Sequence, residues 1–252
     1  MKMLVDVGNT RVKWRMAGRE GRVVHLQQGW QVQLCMDWQG LPVPTALVMG
    51  SVAGAAVNQA LESVAASIWP GIDAHHLRSQ AEVGGVRIQY ADPTRFGIDR
   101  LAALVAAHHE FSAQALLVID IGTAMTLDVL DATGLHRGGM IMPGWRLLCA
   151  SLANGTAGLD PSGVRVDRSA QGFQHETTLA VQSGVRCMLQ GAALRAWQQA
   201  SDLLGERPVV VLSGGDRELL RFEKEGWVVH ERGALVLDGL EFVARQLAPG
   251  FE

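Results

Sequence analysis

Two short segments with the same pattern constrain the fold of this 252-residue chain more than any other feature. Asp6-Val-Gly-Asn-Thr10 and Asp120-Ile-Gly-Thr-Ala124 each follow an apolar run of strand length and lead into a second such run. Their first residues, at positions 6 and 120, lie 114 positions apart, and helical patterns come late in each half. A duplicated α/β unit is the simplest interpretation, because the length suits two domains of ordinary size. We therefore expect one domain over residues 1–113 and a second over residues 114–252.

Hydrophobic patterning predicts that both halves are mixed β-sheets with flanking helices. The predicted strands cover residues 3–7, 11–16, 23–28, 46–51, 74–77, 115–121, 125–130, 209–212 and 227–230. The predicted helices cover residues 55–67, 99–111 and 178–200, a stretch after residue 215, and a last stretch that ends near residue 246. Turn-forming residues predict loops over residues 81–96 and 138–144.

The repeated Asp-x-Gly turn is suited to binding phosphate. Glycine lets a ligand approach the main chain closely, and successive N–H groups in such a turn form a concave site for an anion. The Asn or Thr side chain adds a donor, and the aspartate can hold a cation that offsets phosphate charge. Two such turns that face each other across a cleft would hold a polyphosphate from both sides. Each turn taken alone also fits a plain hairpin connection.

Two more segments are compatible with a nucleotide. Lys13 lies on the strand that leaves the first turn, where its ammonium group either reaches a bound phosphate or faces solvent. Residues 209–215 have the pattern of a buried strand that ends in Ser-Gly-Gly. Such a turn brings backbone against a flat ring such as adenine, although many strand-to-helix connections also contain glycine.

The segment that begins at Tyr90, the single tyrosine of the chain, supplies a candidate base. Gly97 marks a bend, and Asp99 and Arg100 stand at the start of the predicted helix. A helix N-terminus favours the ionised carboxylate, which can then accept a proton at neutral pH. The neighbouring arginine can bind an anionic or polar substrate through paired hydrogen bonds. The alternative is that Asp99 only caps the helix and that Arg100 is its solvated neighbour.

Composition excludes several other classes of protein. The chain has 22 Lys and Arg against 25 Asp and Glu, and this even balance does not favour binding to a nucleic-acid backbone. Its apolar runs are too short to span a bilayer, and no signal peptide is recognised at the N-terminus. The three cysteines are odd in number and far apart, as is typical of reduced thiols. We therefore expect a cytoplasmic protein that binds neither nucleic acid nor membrane.

The ordered set of motifs resembles the type III pantothenate kinases, which belong to the actin, sugar-kinase and chaperone ATPase superfamily. Any single motif is weak, but the set covers residues 6 to about 215 in the family's order. The matching segments are Asp6-Val-Gly-Asn-Thr10, Tyr90-x-x-Pro93-x-x-x-Gly97-Ile-Asp99-Arg100, Asp120-Ile-Gly-Thr-Ala-Met-Thr-Leu-Asp128, Gly138-Gly-Met-Ile-Met-Pro-Gly144 and Glu176-Thr177-Thr-Leu-Ala-Val-Gln-Ser-Gly184.

The resemblance implies two ribonuclease-H-like domains and an ATP-dependent phosphorylation of pantothenate to 4′-phosphopantothenate, the first step toward coenzyme A. It implies that Asp99 is the general base, that Asp120 binds a monovalent cation (K⁺ or NH₄⁺), and that Asp6 holds Mg²⁺ through water. The implied ATP contacts are Asp6, Val7, Gly8, Asn9, Thr10, Arg11, Val12, Lys13 and Thr123. The implied substrate contacts are Tyr90, Gly97, Ile98, Asp99, Arg100 and Thr177, with Thr178 as the alternative to Thr177. A homodimer is also implied, in which the second subunit contributes to the substrate pocket.

Two other functions stay open from the sequence. The same fold can phosphorylate a different small hydroxylated acceptor, because the superfamily hosts many acceptors. A non-catalytic protein that binds ATP and regulates a partner is the other alternative, although a pure binding module does not need a base at Asp99. The segment from Tyr90 to Arg100 is the feature that discriminates between acceptors.

Overall fold

The computed structural model describes residues 1–155, 170–222 and 227–247, and it divides into two compact units. Unit 1 comprises Met1–Ser112 together with the segment from Ala234 onward, and unit 2 comprises Ala113–Gly233. Among the described residues, no helix combines the length and the apolar character needed to cross a membrane.

The described elements alternate between strands and helices along the chain. In order they are β1 (Met3–Val7), β2 (Arg11–Met16), β3 (Arg19–Val24), α1 (Trp30–Gln39), β4 (Leu47–Ser51), α2 (Ala55–Ile68), β5 (Ala74–Leu77), β6 (Glu82–Val83), β7 (Val86–Arg87), α3 (Ile98–Glu110), β8 (Leu116–Ile121), β9 (Ala124–Leu130), β10 (His136–Pro143), α4 (Trp145–Gly155), α5 (Thr177–Leu204), β11 (Val209–Ser213), β12 (Val229–Glu231) and α6 (Leu235–Leu247). Short 3₁₀ helices lie at Pro93–Arg95 and Arg217–Leu219.

Each unit contains a five-stranded mixed sheet, and the strands follow the same order in both. The order is β3-β2-β1-β4-β5 in unit 1 and β10-β9-β8-β11-β12 in unit 2. In each sheet the central strand pairs antiparallel with the next strand and parallel with a strand that returns after a helix. The two Asp-x-Gly segments that predicted a duplication therefore occupy equivalent places, because each begins at the end of the central strand of its own sheet.

Alternation along the central strands decides which side chains enter the cores. Val5 and Val7 of β1 belong to a buried cluster with α1 and α2, so Asp6 lies on the other face of the sheet. Ile119 and Ile121 of β8 belong in the same way to a cluster with α5, which leaves Asp120 on the opposite face. Both aspartates thus lie near the carboxyl end of a central strand, on the face away from these apolar clusters.

The last helix packs with unit 1. Leu240 of α6 fills the space beside Gly50 of β4, and the backbone of Ala102 in α3 leaves no room for a side chain at Gly239. Arg15 Nη2 lies 2.6 Å from Asp238 Oδ1 and links β2 to the same helix. The sequence prediction placed residues 234–252 in the second domain, so the division of the chain differs from that prediction at its C-terminal end.

Several elements differ from the sequence prediction. Helix α4 was not predicted, strands β6 and β7 lie in the predicted loop 81–96, and the helix predicted after residue 215 is, among the described residues, a 3₁₀ helix at Arg217–Leu219.

Three further differences each have a local reason. Residues 138–144 were predicted to be a loop because of their glycines, but residues up to Pro143 pair with β9 as strand β10. Strand β3 begins at Arg19, earlier than predicted, because Ala17 and Gly18 both adopt positive φ and form a tight two-residue turn. Helix α1 was missed because only Leu34 and Trp38 are buried in it, too few to give a clear helical period.

Candidate active site

The first Asp-x-Gly turn connects β1 to β2 through the three residues 8–10. The Gly8 N–H donates to the Arg11 carbonyl over 3.0 Å and closes the turn around Asn9 and Thr10. The Thr10 carbonyl accepts from the backbone N–H of His25 (3.1 Å), and the Gly8 carbonyl lies 2.9 Å from His25 Nε2. Two carbonyl groups of the turn are therefore held by one residue of the neighbouring chain segment.

Asp6 and Lys13 form an ion pair beside this turn. They are directly opposite each other in the β1–β2 ladder, and Lys13 Nζ lies 3.4 Å from Asp6 Oδ2. The Asp6 side chain is 8% exposed and that of Lys13 is 34% exposed, so the lysine reaches solvent while its partner does not. The Lys13 side chain is therefore partly exposed, and the Asp6 carboxylate orients its ammonium group. A phosphate bound at the turn would lie near this positive charge.

The second turn, between β8 and β9, is one residue shorter than the first. The Gly122 N–H donates to the Ala124 carbonyl over 2.9 Å, which leaves Thr123 alone at the tip. Asp120 pairs with Thr126 across the ladder and is half-buried. The two repeats thus share topology and residue types but differ in the length of the loop that follows the glycine.

Glycines from two other segments approach the second turn closely. The Gly144 N–H donates to the Thr123 carbonyl over 2.9 Å, and a Cβ at Gly144 would collide with the Gly122 carbonyl oxygen. Gly214, whose φ of +98° disfavours other residues, lies against the backbone of Ile121 in the same way. The turn is therefore supported by main-chain contacts from the end of β10 and from the Ser-Gly-Gly segment after β11.

Asp99 occupies the first turn of α3, where its carboxylate lies so close to position 97 that only glycine fits there. Gly97 is the N-cap of the helix, and a Cβ built there would lie 2.5 Å from Asp99 Oδ1. The same oxygen accepts the backbone N–H of Arg100 over 2.8 Å, and the Asp99 side chain is half-buried. The N-terminal end of a helix favours a negative charge, so this position suits a carboxylate, and the hydrogen bond from the Arg100 N–H holds it at a defined place.

Arg100 is buried against an aromatic pair. Its Cζ lies 4.3 Å from the centre of the Phe96 ring, and Phe96 itself contacts Tyr90 edge-on with 5.0 Å between ring centres. Arg100 Nη1 lies 3.5 Å from the Tyr90 hydroxyl, and Tyr90 is 42% exposed. The guanidinium plane is therefore fixed by the Phe96 ring, and an exposed phenol stands beside it.

Thr177 and a large cavity lie along α5. Thr177 is exposed as the first residue of this helix, and Thr178 is half-buried. A cavity of about 900 Å³ begins one turn further on, and the described residues that line it include none of the predicted ATP or substrate contacts. Arg186 lies in the wall of this cavity, and burial lowers the pKa of its guanidinium. The positive charge of Arg221 lowers this pKa further.

The structure brings the predicted site residues together in separate groups. Asp6 forms an ion pair with Lys13. The Asp99 carboxylate packs closely against Gly97, and Arg100 contacts the hydroxyl of Tyr90. Two supporting residues were not assigned a site role from the sequence, namely His25 and Phe96. His25 acts on a carbonyl 17 residues away, which no local pattern signals, whereas the ring of Phe96 contacts Arg100 only a few positions further along the chain.

The residues predicted to serve cations offer oxygen donors. Mg²⁺ prefers oxygen ligands and usually keeps several waters, so a carboxylate such as that of Asp6 suits it. Because Lys13 already lies 3.4 Å from one oxygen of Asp6, a water-mediated role fits better than direct coordination. Asp120 likewise offers a carboxylate, and its Oδ2 atom and the Ala124 carbonyl oxygen both lie within 4 Å of a Cβ built at Gly122, so this turn also presents oxygens of the kind that cations bind.

Comparison with solved structures defines the class of fold. A Campylobacter jejuni protein described as a Baf family transcriptional activator matches with a TM-score of 0.60 at 16% identity, covering 97% of this chain and 98% of its own. An archaeal actin homologue matches with a TM-score of 0.52 at 10% identity, covering 97% and 99%. The fold is the actin-like fold, and the predicted fold class is confirmed.

Sequence comparison then defines the family. The model of the type III pantothenate kinase family matches residues 2–199. A type III pantothenate kinase of Burkholderia lata is 33% identical over 259 residues, which cover 98% of this chain and 96% of the relative. The chain belongs to the type III pantothenate kinase family, as its motifs predicted.

Proposed function

We propose that this chain transfers the γ-phosphoryl group of ATP to the primary hydroxyl of pantothenate and forms 4′-phosphopantothenate, the first step toward coenzyme A. Membership of the family over nearly the whole chain is the observation that carries this proposal. The half-buried carboxylate at the start of α3 supports it, since a kinase needs a group that takes the proton of the acceptor hydroxyl.

In the proposed reaction, Asp99 is the general base. The hydroxyl oxygen of pantothenate bonds to the γ-phosphorus, the bond from that phosphorus to the β–γ bridging oxygen breaks, and ADP leaves. Asp99 takes the hydroxyl proton. The contact from the Arg100 N–H and the position at the helix N-terminus both favour the ionised form that this step requires.

The acceptor is held by the residues around Asp99. The buried Arg100 guanidinium, fixed on the Phe96 ring, suits the carboxylate of pantothenate, and the exposed Tyr90 lies beside it. Gly97 and Ile98 shape the backbone at the start of the helix. Thr177, exposed at the beginning of α5, adds a hydroxyl donor.

The two Asp-x-Gly turns provide the contacts to ATP. In the first turn, from Asp6 to Lys13, the backbone N–H groups and the lysine ammonium bind phosphate oxygens, and in the second Thr123 does so. Phosphoryl transfer depends mainly on positioning and charge neutralisation. Mg²⁺ bound with ATP near Asp6, and a K⁺ or NH₄⁺ ion at Asp120, supply positive charge to the phosphates.

We also propose that the chain works as a homodimer in the cytoplasm. Helix α5 exposes Met188 and Leu203, and no atom lies within 4 Å of a Cβ built at Gly184 or Gly191. A helix with small and apolar residues on its surface suits close packing against a second copy. All three cysteines, which lie in the described ranges, are free thiols, as a reducing compartment maintains them. Sedimentation equilibrium tests the dimer, and a monomer at micromolar concentration contradicts it.

A coupled assay of ADP release tests the proposed function. Purified protein is supplied with ATP and Mg²⁺, with and without K⁺, and with pantothenate, a sugar or another small alcohol as the acceptor. Release that requires pantothenate and is stimulated by K⁺ supports the proposal. Release only with another acceptor identifies a different kinase, and no release with any acceptor identifies a protein that binds ATP without catalysis.

Asp99→Asn tests the assignment of the base in the same assay. The substitution keeps the shape of the side chain but removes its basicity, so kcat falls by about 10²- to 10⁴-fold. The KM for ATP stays near that of the wild type, because Asp99 is not part of either turn. An unchanged kcat contradicts the assignment and leaves the identity of the substrate unaffected.

A further inference from the structure

His25 contacts the first turn twice, once through its backbone and once through its ring. It directly follows β3, and its N–H donates to the Thr10 carbonyl over 3.1 Å. Its Nε2 atom lies 2.9 Å from the Gly8 carbonyl oxygen. Because a carbonyl oxygen only accepts, Nε2 carries the proton of this hydrogen bond. His25 therefore donates to the carbonyl groups on both sides of Asn9.

These two bonds fix the direction of the neighbouring N–H groups. In a planar trans peptide the carbonyl of one residue and the N–H of the next point in opposite directions. When the Gly8 and Thr10 carbonyls point toward His25, the N–H groups of Asn9 and Arg11 point away from it. These two N–H groups therefore lie on the side of the turn opposite His25. Without the hydrogen bonds to His25, their peptide planes could rotate and the donors would not keep this direction.

The His25 ring is itself held in place. It meets Trp30, the first residue of α1, edge-on, with 6.2 Å between ring centres. Trp30 packs in turn against the buried cluster of unit 1. The imidazole is thus connected to a rigid element, so its hydrogen bond to Gly8 orients the turn rather than following it.

We infer that His25 is a positioning residue for ATP, which holds the Gly8 and Thr10 carbonyls so that the Asn9 and Arg11 N–H groups face the phosphates. The role of His25 deepens the proposed function and depends on the first turn being a phosphate site. Preformed amide donors bind an anion more tightly than donors that must first be oriented. Its contribution therefore falls on ATP rather than on pantothenate.

Two variants separate the hydrogen bond from the packing of the ring. His25→Phe keeps a ring beside Trp30 but has no N–H to donate. His25→Gln loses the ring and keeps a donor at Nε2. His76→Ala is the control, since His76 belongs to the same unit and its Nε2 atom forms an exposed hydrogen bond with Glu62 Oε1 over 2.7 Å.

The expected result is a rise of up to about tenfold in the KM for ATP in His25→Phe, the upper size of effect of one lost hydrogen bond between neutral groups. The KM for pantothenate stays within about twofold of wild type, and His25→Gln recovers most of the loss in the KM for ATP because its donor is retained. An unchanged KM for ATP in His25→Phe overturns the inference, as does a larger loss in His25→Gln than in His25→Phe. The His76→Ala control is expected to match the wild type.

Amide hydrogen exchange without ATP separates this inference from the proposed function. The Asn9 amide is expected to exchange faster in His25→Phe than in the wild type and in His25→Gln, whereas the Arg11 amide is expected to be unchanged because the backbone N–H of residue 25 still holds the Thr10 carbonyl. If neither the wild type nor any variant turns over ATP, the proposed function fails. Faster amide exchange in His25→Phe would still show in that case that His25 orients the turn. Equal exchange of the Asn9 amide in all three proteins overturns the inference even where the kinase activity is confirmed.

Discussion

Gly97→Ala is the substitution whose effect follows most directly from the geometry of the site. The added Cβ lies 2.5 Å from Asp99 Oδ1, whereas ordinary contacts begin near 3.4 Å. The carboxylate must therefore move by about 0.9 Å, and a misplacement of about 1 Å can cost about a hundredfold in rate. The hydrogen bond from the Arg100 N–H to Asp99 Oδ1 is strained by the same movement.

The assay is steady-state turnover of ATP with saturating pantothenate. We expect kcat to fall about a hundredfold, whereas the KM for ATP stays within about twofold because Gly97 lies outside both turns. The protein stays folded, since replacing a glycine N-cap by alanine costs about 1 kcal/mol or less. Thermal unfolding of the variant checks this directly.

Gly54→Ala provides a matched control for the same change. Gly54 is also the glycine N-cap of a helix in unit 1, but nothing lies within 4 Å of a Cβ built there. Its kcat is expected to equal that of the wild type. A Gly97→Ala variant with nearly wild-type kcat, or an equal loss in Gly54→Ala, refutes the view that Gly97 serves the Asp99 carboxylate.

Two further predictions concern stability and thiol chemistry. His136 Nε2 lies 2.8 Å from Asp128 Oδ1, and both side chains are almost fully buried, so His136→Ala is expected to lower the free energy of unfolding in urea by about 3 kcal/mol. The control, Arg137→Ala at an exposed position, is expected to lower it by less than about 0.5 kcal/mol. Equal losses of stability in the two variants contradict the prediction. Burial raises the pKa of the Cys149 thiol, so a thiol reagent at neutral pH is expected to modify the exposed Cys187 first. Mass spectrometry of the labelled peptides measures the order of modification, and labelling of Cys149 before Cys187 contradicts the prediction.

The central strands and their turns were predictable because their signals are local. Strands 3–7 and 11–16 match the structure residue for residue, since apolar residues alternate or run continuously there and glycines mark the ends. The Asp-x-Gly repeat predicted equivalent positions in two sheets, and the sheets have the same strand order. The start of α3 was predicted within one residue of its position at Ile98.

The remaining features depend on contacts between residues far apart in the chain. Strand β10 has glycines that predict a loop, and only pairing with β9 makes it a strand. The placement of α6 with unit 1 depends on the fit of Gly239 against Ala102, which no composition reveals. His25 acts on a carbonyl 17 residues away, and no spacing rule connects an imidazole with such an acceptor.

Identification of the phosphorylated product tests the central claim most directly. Phosphorus NMR follows a mixture of ATP, Mg²⁺, K⁺ and pantothenate with the wild type and with Asp99→Asn. We predict one new phosphomonoester on the primary hydroxyl of pantothenate, formed in step with ADP by the wild type and strongly reduced in the variant. If ADP forms while its phosphate is recovered as inorganic phosphate and pantothenate stays unmodified, the assignment of this chain as a pantothenate kinase is contradicted.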